Sequence, residues 1–399
     1  MAQAPDAIGS LRDETMIINM GPQHPSTHGV LRLELELDGE LVIKCTPHIG
    51  YLHTGIEKEM ESRNYQQVVT ITDRTDYLNP LGNNLGYALA VEKFFQCEIP
   101  ERAQVGRVLL VELQRISSHL VWLGTHALDL GAMSAFLYCF REREMLLDIF
   151  ELCSGARMMT SYIRVGGLAS DLPPGFEEQV QAFLDLFPSR VDDYEALLTE
   201  NEIFMERTQG IGILTAPQAI ALGLTGPPLR ASGVRHDLRV SRPYSGYETY
   251  DFNVPTRTDG DVYSRYLCRV AEMRESIKIA QQALNRLPKG PFRTLDRKVS
   301  LPPREELYSS MESLIHHFKL VTEGIRPPAG EVYVSVESPR GELGYYIISD
   351  GSGIPYKIHI RAPSFVNLQA LPPIMEGRFV ADAVACIGSL DPVIGDVDR

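Results

Sequence analysis

Apolar and polar positions alternate with a period of two over Val30 to Leu37, where Leu31, Leu33, Leu35 and Leu37 interleave with Arg32, Glu34 and Glu36. That period sends every second side chain to one face and predicts a strand with one buried side. Met16 to Met20 reads as a second strand, and Leu41 to Thr46 returns after the hairpin dipeptide Asp38-Gly39. From Arg102 to about Met159 the period becomes helical, with a break expected at Gly131 or just before it. Further helices are expected near Leu81, over Phe176 to Glu200, over Pro217 to Leu224, over Val262 to Leu287 and over Arg304 to Glu323. Val332 to Glu337, Leu343 to Ser349 and Tyr356 to Ile360 read as strands of a meander, with a turn at Asp350-Gly-Ser-Gly353. Thr225 to Thr258 is rich in Gly, Pro, Arg and Tyr without a clear period, a composition expected to be ordered by packing on a larger body. The pattern predicts an α+β protein with an N-terminal antiparallel β domain over 1–75, a central helical bundle over 76–290 and a C-terminal strand-and-helix segment over 291–399. Residues 1–15 are polar and read as an irregular arm.

The first two strands are joined by Gly21-Pro-Gln-His-Pro-Ser-Thr-His-Gly29, whose two prolines and two glycines exclude regular helix and central strand. This stiff loop carries His24 and His28, either as an imidazole offered to a ligand or as part of a turn whose histidines bond nearby carbonyls. A second polar concentration, Thr72-Asp73-Arg74-Thr75-Asp76-Tyr77-Leu78-Asn79-Pro80, follows the short apolar run Val68 to Thr72, and is either a solvated cap or a lined cavity. Asp129 stands among leucines, where a carboxylate is costly unless paired, as it would be in a salt bridge or a capped helix end. The run Arg141-Glu-Arg-Glu144 reads as a solvated helix face.

Composition removes several function classes. With 52 acidic against 38 basic residues the net charge is −14, which argues against a general nucleic-acid binder. The six cysteines form no C-x-x-C pair, a reduced, cytosolic pattern. No signal-peptide pattern opens the chain, and no apolar stretch reaches the length of a membrane span, so membrane association is expected through partners. His24, His28, His48 and His53 lack the thiolate company or helical setting of a convincing metal site. Nucleotide-binding glycine motifs and a nucleophile elbow are missing as well. What remains is a hydrogen-bonding pocket built from a stiff histidine loop, a tyrosine and a carboxylate, suited to a neutral, proton-accepting ligand.

The motif Gly21 to Arg32 resembles the D-type subunits of respiratory Complex I, the proton-pumping NADH:quinone oxidoreductase. The likeness continues through His48-Ile-Gly-Tyr-Leu-His53, Thr72-Asp73-Arg74 with Asp76-Tyr77, Met273-Arg-Glu-Ser276, Gly341-Glu-Leu-Gly344 and Asp396-Val-Asp-Arg399, over essentially the whole chain. It implies a peripheral-arm subunit on the cytoplasmic side of a bacterial inner membrane. With the B-type subunit, which holds the terminal [4Fe-4S] cluster, such a chain encloses the quinone headgroup. Complex I subunits B, C and I and the membrane subunits H and A are the implied partners, and FMN and the iron–sulfur clusters sit in partner subunits. The resemblance leaves open a relative that takes electrons from ferredoxin or another non-NADH donor.

By the same resemblance His28 and Tyr77 hydrogen-bond the quinone and Asp129 pairs with His28. A quinone gaining two electrons needs two protons, which an imidazolium and a phenol can supply. The family is related to the large subunit of nickel–iron hydrogenases, whose four metal-holding thiolates correspond to Asp76, Asn79, Val393 and Asp396 here. No thiolate remains, which excludes a hydrogenase and implies no metal of the chain's own. Arg74, a neighbour of the terminal cluster, is kept. Thr54 replaces the family's usual arginine and Met159 its usual histidine, both beside that cluster. Losing a cation and a titratable group lowers the expected cluster potential, and a low-potential acceptor, menaquinone rather than ubiquinone, is expected.

Overall fold

The computed structural model describes residues 15–399; the polar arm expected over residues 1–15 lies, Thr15 excepted, outside them. Strands β1 (Met16–Met20), β2 (Arg32–Asp38) and β3 (Leu41–His48) form an antiparallel sheet in sequence order. The alternation in β2 does what its period requires, since Leu33, Leu35 and Leu37 are buried while Asp38 is exposed. The buried face has to meet another apolar surface, and it finds one far along the chain. Leu371, Ile374 and Met375 of one helix and Ile387 and Leu390 of another complete this core.

The helices follow: α1 (Ile56–Met60), α2 (Tyr65–Thr72), α3 (Pro80–Phe95), α4 (Glu101–Asp129) and α5 (Met133–Ser154). A two-strand hairpin, β4 (Ile163–Arg164) and β5 (Gly167–Leu168), leads to α6 (Phe176–Leu198), α7 (Glu202–Glu206), α8 (Ala216–Ala221), α9 (Pro227–Ala231) and α10 (Leu238–Ser241). Then come α11 (Val262–Asn285), α12 (Met311–Thr322) and a second three-stranded sheet of β6 (Gly330–Ser338), β7 (Gly341–Ser349) and β8 (Lys357–Arg361). The described chain closes with α13 (Pro363–Leu368), α14 (Leu371–Met375), α15 (Val380–Leu390) and α16 (Ile394–Asp398).

The apolar run ending at Thr72 lies in α2, because Asn64 and Gln67 form a reciprocal capping box that starts a helix there. The expected break near Gly131 falls just after Asp129, with Gly131 at φ 95°. Helix α4 runs through the main core, packed by Leu146 and Phe150 of α5, Phe183 and Phe187 of α6 and Met273 of α11. The second sheet buries Tyr345, Ile347, Ile358 and Ile360 against Val68, Val69 and Val91 of α2 and α3.

Two stretches, one read as a solvated face and one as lacking a clear period, are ordered by buried charge. The Arg141–Glu144 run is not a solvated face: Glu142 and Arg143 are buried, and Glu142 accepts hydrogen bonds from Tyr194 of α6 and from Arg141. A helical wheel cannot separate a charge that finds a buried partner from one that meets water. Thr225 to Thr258 is held by two fully buried arginines. Arg230 donates to Glu272 of α11 (2.9 Å) and Glu337 of β6 (2.7 Å), and Arg239 to Asp237 (2.7 Å) and Glu112 of α4 (3.2 Å). His119 of α4 bonds Glu272 as well, at 3.0 Å. Burial alone would raise the Glu272 carboxyl, but Arg230 and His119 outweigh it and hold the group well below the usual carboxylate range. Arg230→Met leaves Glu272 and Glu337 buried without their shared cation, and is expected to cost about 3–5 kcal/mol. Urea denaturation of the purified chain measures this; a change below about 1 kcal/mol contradicts it.

Candidate functional site

The loop between β1 and β2 is built around His24. Its carbonyl accepts from Thr27 N (3.1 Å) and Thr27 Oγ1 (2.9 Å), and its Nδ1 accepts from Ser26 N (3.2 Å). His24 therefore scaffolds the turn Pro25–Thr27. His28 does something else. Its backbone sits at φ 52°, a strained conformation for a non-glycine residue, and its Nε2 lies 3.5 Å from Asp129 Oδ2 at the end of α4. Both side chains are about nine-tenths buried. One turn earlier on α4, His126 stacks on Trp122, and neither of its ring nitrogens finds a hydrogen-bond partner among the described residues. Burial first, then His28, Arg269 and Arg265, push it down to about 3, so it stays neutral.

A cleft of about 710 Å³ opens nearby, and Thr54, Arg74, Tyr77 and Met159 all line it with Leu52 and Gly395. Four of the six residues singled out in the sequence thus line one cleft. His28 and Asp129 are not part of that lining. The connection is α16: Gly29 packs against Ile394, while Gly395 lies so close to Tyr77 that a Cβ there would sit 3.2 Å from Cε1. Burial, then the neighbouring Asp76 carboxylate, raises the Tyr77 phenol above its usual value, with Arg340 opposing. At neutral pH it is a hydrogen-bond donor.

Aspartates fix the cleft walls. Asp398 accepts from Gly50 N (2.8 Å) and Leu52 N (2.7 Å), and its carbonyl meets His53 Nδ1 at 2.7 Å, pinning the loop that carries Thr54. Asp73 accepts from Ser161 N (3.0 Å) and Oγ (2.6 Å) and from Asn84 Nδ2 (2.6 Å), fixing the segment that carries Met159, where Ser161 stands at φ 42°. Burial pushes Asp73 up to about 6 against those donors.

Residues 129–399 match the family described as respiratory-chain NADH dehydrogenase, 49 Kd subunit. An NADH-quinone oxidoreductase D-type subunit from a Roseiflexus species is 67% identical over 389 residues, covering 97% of this chain and 93% of the relative. The D-type subunit from Roseiflexus castenholzii is 68% identical over 389 residues with the same coverage of each chain. One from Chloroflexus aurantiacus is 65% identical over 391 residues, 97% of this chain and 95% of its own. The chain belongs to the family of Complex I D-type subunits. It is a peripheral-arm subunit of NADH:quinone oxidoreductase, and other Complex I subunits are its partners. Among the described residues no helix is long and apolar enough to cross a membrane.

In this Complex I chain Asp76, Asn79, Val393 and Asp396 are all buried. Asp76 pairs with Arg340 (2.8 Å), Asp396 accepts from Ser364 N (2.8 Å) and the Asn79 amide packs against Gly82, while Val393 N donates to Ser364 Oγ (3.5 Å). Among the described residues no three His, Cys, Asp or Glu side chains are arranged to hold a metal ion. His48 Nε2 lies 3.4 Å from Glu34, and His53 Nδ1 meets the Asp398 carbonyl. The clamps Asp73 and Asp398 did not stand out in the sequence, although both lie inside its characteristic motifs; an acidic residue looks the same there whether it caps a loop or faces solvent. Asp398→Ala removes two charge-assisted hydrogen bonds, each worth on the order of 1.5–3 kcal/mol. Amide hydrogen exchange at Gly50 and Leu52 is expected to quicken at least about tenfold while α4 amides are unchanged. Unaltered exchange contradicts the clamp.

Proposed function

We propose that this chain, with the B-type subunit, forms the quinone headgroup site of the complex beside the terminal [4Fe-4S] cluster held by that partner. The observation that carries the reading is the one cleft lined by Tyr77, Thr54, Arg74 and Met159, with the His28–Asp129 pair linked to it through α16. The phenol donates a hydrogen bond to one quinone oxygen, and His28, oriented by Asp129, serves the other. Reduction places negative charge on those oxygens, and each donor then gives up its proton. NADH is the favoured donor for the whole assembly, because the relatives are named NADH-quinone oxidoreductases. The chain docks on the cytoplasmic side of the membrane through subunits H and A and meets subunits C and I in the peripheral arm.

Thr54 and Met159 set the electron side of the site. Reducing the cluster adds a negative charge, which a nearby cation stabilises; threonine supplies none, and methionine has no proton to gain near neutrality. The cluster next to this subunit therefore has a low potential, and menaquinone is the favoured acceptor over ubiquinone.

Tyr77→Phe keeps the ring and deletes the donor. The lost hydrogen bond is expected to cost on the order of 1–3 kcal/mol in binding, with a further fall in turnover from lost proton delivery. Electron flow to an artificial acceptor upstream is expected to persist; quinone turnover unchanged in both Tyr77→Phe and His28→Ala contradicts the site. For the cluster, a redox titration followed by electron paramagnetic resonance is expected to show a potential that varies little between about pH 6 and 8. Met159→His is expected to raise it and make it pH-dependent. A wild-type potential already moving by close to one proton per electron refutes this.

A further inference from the structure

Behind Tyr77 lies a group of buried carboxyls with too few cations. Arg340, in the turn between β6 and β7, is fully buried and donates Nη1 to Asp76 Oδ2 (2.8 Å) and Ser118 Oγ (3.1 Å), and Nη2 to Asp391 Oδ1 (3.3 Å). Asp396 completes the group from α16 with no cation in contact among the described residues. Its Oδ2 accepts from Ser364 N, and its Oδ1, like Asp391 Oδ2, has no hydrogen-bond partner among them. From α11, Arg269 acts on Asp391 without touching it; it donates to Ser389 O (2.7 Å) and lies over the Trp122 ring, while its Nε and Nη2 have no partner among the described residues. The remaining titratable neighbours are the phenols of Tyr77 and of Tyr345 on β7. Even with Arg269 counted, the carboxyls outnumber the guanidiniums by one. An unpaired carboxylate in such a place is costly enough that it keeps a proton instead.

We propose that the buried carboxyls of Asp76, Asp391 and Asp396 around Arg340 hold one exchangeable proton and return it to Tyr77 after each quinone reduction. The proposal rests on the quinone reading of the cleft. Asp396 is the holder, since Asp76 and Asp391 face Arg340 and it does not. Proximity to Tyr77 comes from both sides: Asp76 is its chain neighbour, and Gly395, next to Asp396, lies against its ring. Burial and then Asp76 push Asp396 up to about 7, while Tyr77 is raised above the usual phenol range. A Tyr77 phenolate therefore takes a proton from Asp396 downhill.

The step balances as a proton relay. Two electrons reach the quinone from the cluster of the assembly. Tyr77 breaks its O–H bond as the quinol O–H forms; the phenolate takes the carboxyl proton, and the carboxylate regains one from solvent. The second quinol proton comes from His28.

The test uses the intact complex in wild-type, Asp396→Asn and Asp396→Glu forms. In redox-induced infrared difference spectra, a carbonyl band of a protonated carboxyl that shifts in heavy water is expected in wild type, displaced in Asp396→Glu and lost in Asp396→Asn. Quinone turnover is expected to fall about a hundredfold in Asp396→Asn with little change in KM, and to recover in Asp396→Glu. Absence of the wild-type band, or wild-type turnover in Asp396→Asn, overturns the proposal. If Asp396→Asn does not assemble, the wild-type band and its displacement in Asp396→Glu decide alone: both present support it, either missing overturns it. Tyr77→Phe separates the two readings. If it and His28→Ala both leave quinone turnover intact, the cleft reading fails; if it halts turnover while Asp396→Asn does not, only the proton store fails.

Discussion

Three stretches of chain far apart in sequence meet at the guanidinium of Arg340, and a fourth at its backbone carbonyl. It binds Asp76 in the turn after α2, Ser118 in the middle of α4 and Asp391 after α15, while Asn367 of α13 donates to its own carbonyl at 2.9 Å. A guanidinium keeps its charge in such a site and offers donors in a fixed fork, so its partners must come to it in set directions. The approach also needs glycine. Gly341, at φ 136°, lies so close to Thr225 that a Cβ would stand 2.5 Å from its Oγ1. The turn bearing Tyr77 and the helix bearing Gly395 are placed by the same contact, and the cleft wall follows from them.

The charge economy of the interior runs against ordinary hydrophobic folding. Arg230, Arg239, Arg265, Arg269 and Arg340 are all fully buried. Buried ion pairs seldom add stability beyond what apolar packing of the same volume would give, so their value lies in specificity. Here Arg230 and Arg239 fix Thr225 to Thr258, a segment with little regular structure, and Arg340 gathers Asp76 and Asp391.

Much of the architecture was legible in the sequence because its signal is periodic. The β2 alternation, the hairpin at Asp38-Gly39, the α4 to α5 break and the final meander each follow from a repeat distance plus a turn residue. His28, Tyr77 and Asp129 stood out as polar groups in stiff or apolar settings, but the resemblance, not spacing, gave them roles. What stayed hidden is what periodicity does not encode. Glu142 reads as a surface charge until Tyr194 arrives from α6, and Asp73 and Asp398 read as loop acids until the amides of Ser161, Gly50 and Leu52 close on them. Arg340 gives no local sign of its place, since the partners of its guanidinium lie between 51 and 264 residues away.

The central claim is that the wall containing Tyr77 receives the quinone headgroup, with His28 acting from the other side of α16. The most direct measurement is a structure of the intact complex with bound quinone. The account predicts one quinone oxygen within hydrogen-bond distance of Tyr77 Oη, the other directed toward His28, and Thr54, Arg74 and Met159 between the headgroup and the cluster-bearing partner. A headgroup seated elsewhere, with the cleft covered only by protein, would contradict it.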